Sequence, residues 1–113
     1  MAVVARARLS RGDVHLVRLD PTLGSEIRKT RPCVIVSPDE LNQHIRTAIV
    51  APMTTSGQAY LWRVPCRFQQ RSGFVALDQV RTVDTERLVK RLGRLAPDTI
   101  REVIHGLQEM FAD

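Results

Sequence analysis

Nowhere in these 113 residues do apolar side chains run for the roughly 18 positions that a membrane-spanning helix needs. The opening stretch, residues 1–10, carries Arg6 and Arg8 but too short an apolar run for the core of a secretion signal, so a basic arm on a cytoplasmic domain is expected. Cysteine is scarce: Cys33 and Cys66 stand far apart, without CxxC spacing and without a histidine placed to complete a zinc site. Reduced thiols in core positions are expected, and neither a metal nor a cofactor. No repeat, low-complexity tract or linker divides the chain, so residues 11–113 read as one domain, long enough to bury about two-thirds of its unfolded surface. Lysine is scarce too. Of 17 basic residues 15 are arginine, and against 12 acidic residues they leave a net charge of +5. A polyanionic partner fits, because the planar guanidinium grips phosphate oxygens in pairs and stacks on bases. A genome rich in G and C would enrich arginine equally, so the positions of the cations must decide.

What the chain does have is a series of short apolar runs, at 13–19, 32–37, 47–53, 60–64 and 74–77, mostly bounded by Gly, Pro, Ser or Asn. That is strand punctuation, and shorter extended pieces fit at 79–83 and 88–92. Cys33-Val34-Ile35-Val36 lacks in/out alternation, which suits a central strand covered on both faces. Two helical signals interrupt the strands. Ser37-Pro38-Asp39-Glu40 reads as a capping box with proline at the first helical position, opening a turn or two of helix. From Pro97 to about Phe111 a stripe of Ile100, Val103, Ile104, Leu107 and Phe111 recurs at helical spacing, opposite Arg101, Glu102, Gln108 and Glu109. The predicted fold class is mainly β with a C-terminal helix: a strongly bent antiparallel sheet, or small barrel, closed by that helix.

Three polar segments lie where the predicted strands end. Residues 24–32 hold three cations, Arg28, Lys29 and Arg31, with one carboxylate, Glu26, and Pro32 pins Arg31 at the rim of a buried strand. Fixed cations are what a phosphate site needs, although charged loops are common for solvation alone. Thr54, Thr55 and Ser56 offer three hydroxyls where another strand leaves the core; taken alone they read equally as a self-bonded turn. In Leu77-Asp78-Gln79-Val80-Arg81, strand alternation would set Gln79 and Arg81 on one face, able to read a base edge and hold a phosphate. Asp78 and Arg81 could instead form a polar network pinning the sheet. His15, His44 and His105 fall outside these segments and are weak candidates for proton transfer. Trp62 and Tyr60 would share a strand face, where packing competes with base stacking.

Four blocks together resemble the MazF/PemK (Kid) toxins in order and spacing over residues 10–111: Arg11-Gly12-Asp13-Val14, Gly24-Ser25-Glu26 through Arg31-Pro32, Ala48-Ile49-Val50-Ala51-Pro52-Met53-Thr54, and Leu77-Asp78-Gln79-Val80-Arg81-Thr82-Val83-Asp84. The resemblance implies an SH3-like barrel of the MazF/PemK/CcdB type and a homodimer with single-stranded RNA across its interface. It also implies metal-independent endoribonuclease activity and a MazE/PemI-like antitoxin partner. Arg31 and Thr54 match the family's catalytic arginine and threonine, and Glu26 an acidic position assigned to RNA contact or catalysis; Thr55 stands next to Thr54 as the alternative hydroxyl. Ser25, Arg28, Lys29, Thr55 and Ser56 are the expected RNA contacts around them. Asp78, Gln79 and Arg81 are expected to add contacts from the last block. A non-catalytic nucleic-acid-binding barrel would also suit the charge. A CcdB-like gyrase poison would share the fold, but such chains end in a tryptophan-containing tail, and this one ends Met110-Phe111-Ala112-Asp113.

Overall fold

The short apolar runs become antiparallel strands because their β-branched residues fit a pleated surface better than a helix. A computed structural model describes residues 9–27, 29–55 and 62–113. In chain order the elements are β1 (Asp13–Arg18), β2 (Thr30–Ile35), α1 (Asp39–His44), β3 (Thr47–Thr54), β4 (Arg63–Phe68), β5 (Arg71–Ala76), β6 (Arg81–Asp84), β7 (Leu88–Arg94) and α2 (Pro97–Met110). Single 3-10 turns at Leu77–Gln79 and Thr85–Arg87 flank β6. The strands form one sheet in the order β4-β5-β3-β2-β1-β7, and β6 adds to β3. The sheet curls until the β4–β5 turn meets β7, where Gln69 donates to the Leu92 carbonyl at 3.3 Å.

β2 explains the unbroken apolar run. Val34 faces a core with Val14, Ala51, Met53, Val75, Leu77 and Val103. Cys33 and Ile35 face a second core with Val17, Leu19, Val50 and Val83. All four residues from Cys33 to Val36 are at most 5% exposed. Each buried aliphatic side chain contributes ~1.5–3 kcal/mol, so this strand is held from both sides as well as along both edges. The stripe of α2 closes the first core through Val103, with Ile100, Ile104 and Leu107 partly buried.

Four local expectations are corrected. Ser37 does not cap α1; Pro38 holds the cap position without a side-chain bond. The Ser37 hydroxyl instead donates to Asn42 Oδ1 at 2.5 Å and accepts from the Ile49 N–H at 3.0 Å, because burying Asn42 obliges its amide to find partners. β4 begins at Arg63 rather than residue 60 and runs through Pro65, which an edge strand tolerates because the missing N–H faces no partner. Trp62 therefore sits in a turn at φ 70°, packed against the first core; Tyr60 lies outside the described residues. Phe111 is 73% exposed just past the end of α2, and Met110 packs in its place.

Candidate active site

Arg31 and Thr54 are placed by the register of β2 against β3. Cys33 faces Pro52 and Val34 faces Ala51. The ladder ends there, β3 turning to pair with β5 from Met53, and the two strand ends that leave it carry Arg31 and Thr54. Both line an open depression of about 180 Å³, together with Thr55, Gln69, Arg71 and Ser72. Arg31 is half-buried and Thr54 is 7% exposed, so a guanidinium and a hydroxyl on ordered strands face the same open space.

The floor needs glycine. A Cβ on Gly73 would run into the Thr54 carbonyl oxygen and crowd the Thr55 Cα, so only a bare Cα lets β5 approach this close to the end of β3.

Glu26, Asp78, Gln79 and Arg81 gather around a second depression of about 450 Å³, next to Pro52. Glu26 and Arg31 thus line different hollows. The Glu26 carboxylate accepts from the Leu23 N–H at 2.5 Å, stiffening its own loop. Gln79 reaches across to the same loop, its Oε1 accepting from the Ile27 N–H at 3.2 Å. Gln79 lies in a 3-10 turn and not on a strand, so the alternating-face reading does not hold for it. Asp78 forms a two-pronged pair with Arg63, at 2.6 and 3.0 Å. That hydrogen bond holds the Asp78 carboxyl below its ordinary value, against the opposing effect of burial. The network pinning the sheet is therefore Asp78 with Arg63, while Arg81 donates to the Leu19 carbonyl at 3.1 Å.

Ser25 and Lys29 are exposed in the β1–β2 loop and line neither depression. Arg28 and Ser56 lie outside the described residues. His15 is buried on β1, His44 bonds the Glu40 carbonyl, and His105 lies on the exposed side of α2, 3.7 Å from Glu109. Among the described residues no three His, Cys, Asp or Glu side chains group as metal ligands would.

The arginine excess largely serves the fold. Arg11, Arg18, Arg81 and Arg87 donate to main-chain carbonyls of Val36, Glu86, Leu19 and Arg18. Arg91 and Arg94 share the buried Asp13 carboxylate, and Arg101 pairs with Asp98. By contrast, Arg67 and Arg71 bond to no carboxylate or carbonyl among the described residues.

Residues 10–111 match the profile of the PemK-like, MazF-like toxins of type II toxin-antitoxin systems. The chain belongs to this family. Endoribonuclease PemK of Escherichia coli is 36% identical over 107 residues, covering 89% of this chain and 80% of that protein. In structure the chain is similar to MazF from Deinococcus radiodurans, with a TM-score of 0.79 at 24% identity, covering 89% of this chain and 94% of that one. It is also similar to a mycobacterial endoribonuclease solved in complex with its cognate antitoxin, with a TM-score of 0.74 at 23% identity over 88% and 91% of the two chains. The MazF-like fold and the family follow.

Arg71 and Ser72 are the lining residues that reasoning from sequence missed. They enter through a two-residue hairpin in which Phe68 pairs with Arg71 and both Gln69 and Gln70 have positive φ, 51° and 66°. Such turns are normally announced by Asn-Gly or Asp-Gly, and Gln-Gln gives no such signal.

Proposed function

We propose that this chain is the toxin of a type II toxin-antitoxin pair and acts in the cytoplasm as a metal-independent endoribonuclease on single-stranded RNA. The observation that carries this reading is that Arg31 and Thr54 line one open depression. Its family and its likeness to an endoribonuclease support it.

The chemistry suits those two groups. A ribose 2′-hydroxyl attacks the adjacent phosphorus while the bond to the 5′-oxygen breaks, leaving a 2′,3′-cyclic phosphate and a 5′-hydroxyl end. Only RNA carries that nucleophile. Negative charge builds on the non-bridging oxygens, where Arg31 donates a pair of hydrogen bonds and Thr54 a neutral one. Donors already fixed in place are worth more than mobile ones because they need no reorganisation as charge develops. A guanidinium with a pKa above about 12 is a poor base at neutral pH, so the proton of the 2′-hydroxyl goes to Glu26 or to the substrate itself, and the departing 5′-oxygen takes a proton from solvent to become the 5′-hydroxyl. Glu26 lines the neighbouring hollow and not that of Arg31, so a part for it in proton transfer requires the bound RNA to span both. Ser25, Lys29, Arg28, Thr55 and Ser56 are assigned to contacts along the RNA, with Gln79 and Arg81 at the second hollow, where Arg81 keeps one N–H on the Leu19 carbonyl and offers its other donors to the RNA.

A homodimer would join two such faces into a groove spanning several nucleotides, and an antitoxin chain would occupy it when the toxin is silent, as the mycobacterial complex suggests. The test is direct. Pure protein is incubated with a long single-stranded RNA in excess EDTA and the ends are mapped. Cuts with 5′-hydroxyl ends at a recurring short sequence are expected, and intact RNA would overturn the assignment.

A further inference from the structure

We propose that Arg71 is a second phosphate-holding residue of this site, gripping a phosphodiester next to the one that Arg31 and Thr54 act on; the proposal rests on the nuclease reading above. It would be a positioning residue, binding the chain of the substrate and not the reacting atoms.

Most described arginines are committed to carbonyls or carboxylates of the protein itself. Arg71 is exposed, bonds to no such group among the described residues, and lines the same depression as Arg31 and Thr54. Its mounting is rigid. It is the first residue of β5, directly after a two-residue turn, and β5 is locked to β3 by the pairing of Phe74 with Thr54 and the bare Gly73 beneath it. A guanidinium held beside another across about 180 Å³ of open space suits two negative charges on one extended strand. Ser72 lines the rim next to it as a neutral hydroxyl.

The hairpin supplies its own control. Arg67 pairs with Ser72, one step along from the Phe68–Arg71 pair, so strand alternation turns it to the other face. It is also exposed, and it lines an adjoining hollow with Pro65, Phe74 and Thr99 that shares Thr55, Cys66, Ser72 and Gly73 with the first but reaches neither Arg31 nor Thr54. Removing Arg67 or Arg71 subtracts the same charge, but only Arg71 shares the depression with Arg31.

Cys66 provides a reporter, because it lies between the two hollows and lines both while Cys33 is fully buried; the Arg71→Ala and Arg67→Ala variants then tell which hollow the bound RNA fills.

The experiment compares wild type, Arg71→Ala, Arg71→Lys and Arg67→Ala on the RNA sequence found to be cut. Each is also assayed for binding to the same sequence carrying 2′-O-methyl at every ribose, which cannot be cleaved. Arg71→Ala is expected to raise KM about tenfold with kcat within about threefold, and to lower the slope of log K against log salt by about 0.7, the value of one phosphate contact on a single strand. Arg71→Lys should restore the slope but not all of the affinity, and Arg67→Ala should leave both near wild type. The analogue should protect Cys66 from a maleimide in wild type, at lower analogue concentration than in Arg71→Ala. If wild type cuts RNA but Arg71→Ala matches Arg67→Ala in KM and salt slope, the proposal is overturned. If wild type cuts nothing, the nuclease reading has failed, whatever the analogue shows.

Discussion

His15 sits among buried groups with both ring nitrogens unbonded among the described residues. Burial lowers its pKa below the ordinary 6.5, Asp13 acts the other way and Arg91 adds to the lowering. The unfolded chain therefore takes up a proton that the native state refuses, and stability drops as pH falls below 6.5. His15→Leu should flatten the melting temperature between pH 7 and pH 5 and add about 1 kcal/mol at pH 7, since it replaces an unsatisfied ring by an apolar group. An unchanged pH slope in that variant would place the sensitivity elsewhere. For the reaction itself, Arg31→Ala should lower the cleavage rate by ~10²–10³ or more while the melting temperature stays close to wild type. Thr54→Ala and Thr55→Ala, assayed side by side, decide which hydroxyl acts; loss confined to Thr55→Ala would move the site one residue along. Arg31 and Thr54 were legible as a cation pinned by proline and a hydroxyl at a strand exit, but their meeting was visible only through the family blocks. Glu26 was legible as a loop carboxylate, whereas its bond to the Leu23 N–H depends on a turn shape that charge patterning does not encode.

The elements show where local sequence speaks and where it falls silent. Gly73→Ala would push a methyl group against the Thr54 carbonyl, and overpacking of this kind costs ~1–3 kcal/mol. Because the clash falls on the strand end that carries Thr54, cleavage should drop by more than the loss of folded protein accounts for; parallel melting curves and single-turnover rates check this. β1, β2, β3 and α2 were readable because a buried strand and an amphipathic helix write their faces into the order of apolar residues. β4 was misplaced because Pro65 looks like a terminator until its edge position is known. The β4–β5 turn was invisible because Gln69 and Gln70 adopt a backbone that glycine or asparagine usually takes. Ser37 bore the right motif for a cap, and the buried amide of Asn42 outbid it.

Over the whole molecule, a net charge of +5 understates how the cations are deployed. Arg87 clamps the Arg18 and Asp20 carbonyls at 3.0 and 2.5 Å, holding the base of the β1–β2 loop. Arg87→Ala should cost about 1 kcal/mol in urea unfolding yet leave the salt dependence of RNA binding unchanged, separating a strut from a contact. A change in that slope would show that this charge faces the nucleic acid after all. Composition alone could not divide struts from contacts, because both roles ask for the same side chain; carbonyl partners reveal the struts, of which Arg81 alone also lines a hollow assigned to RNA.

β2 is hydrogen-bonded on both flanks and packed on both faces, and Arg31, the guanidinium proposed to hold the phosphate, is its second residue. The β1–β2 loop leads directly into this spine. If target choice rests on that loop, its length and lettering can change while the proposed chemistry stays where it is, and a new target sequence needs no new way of cutting.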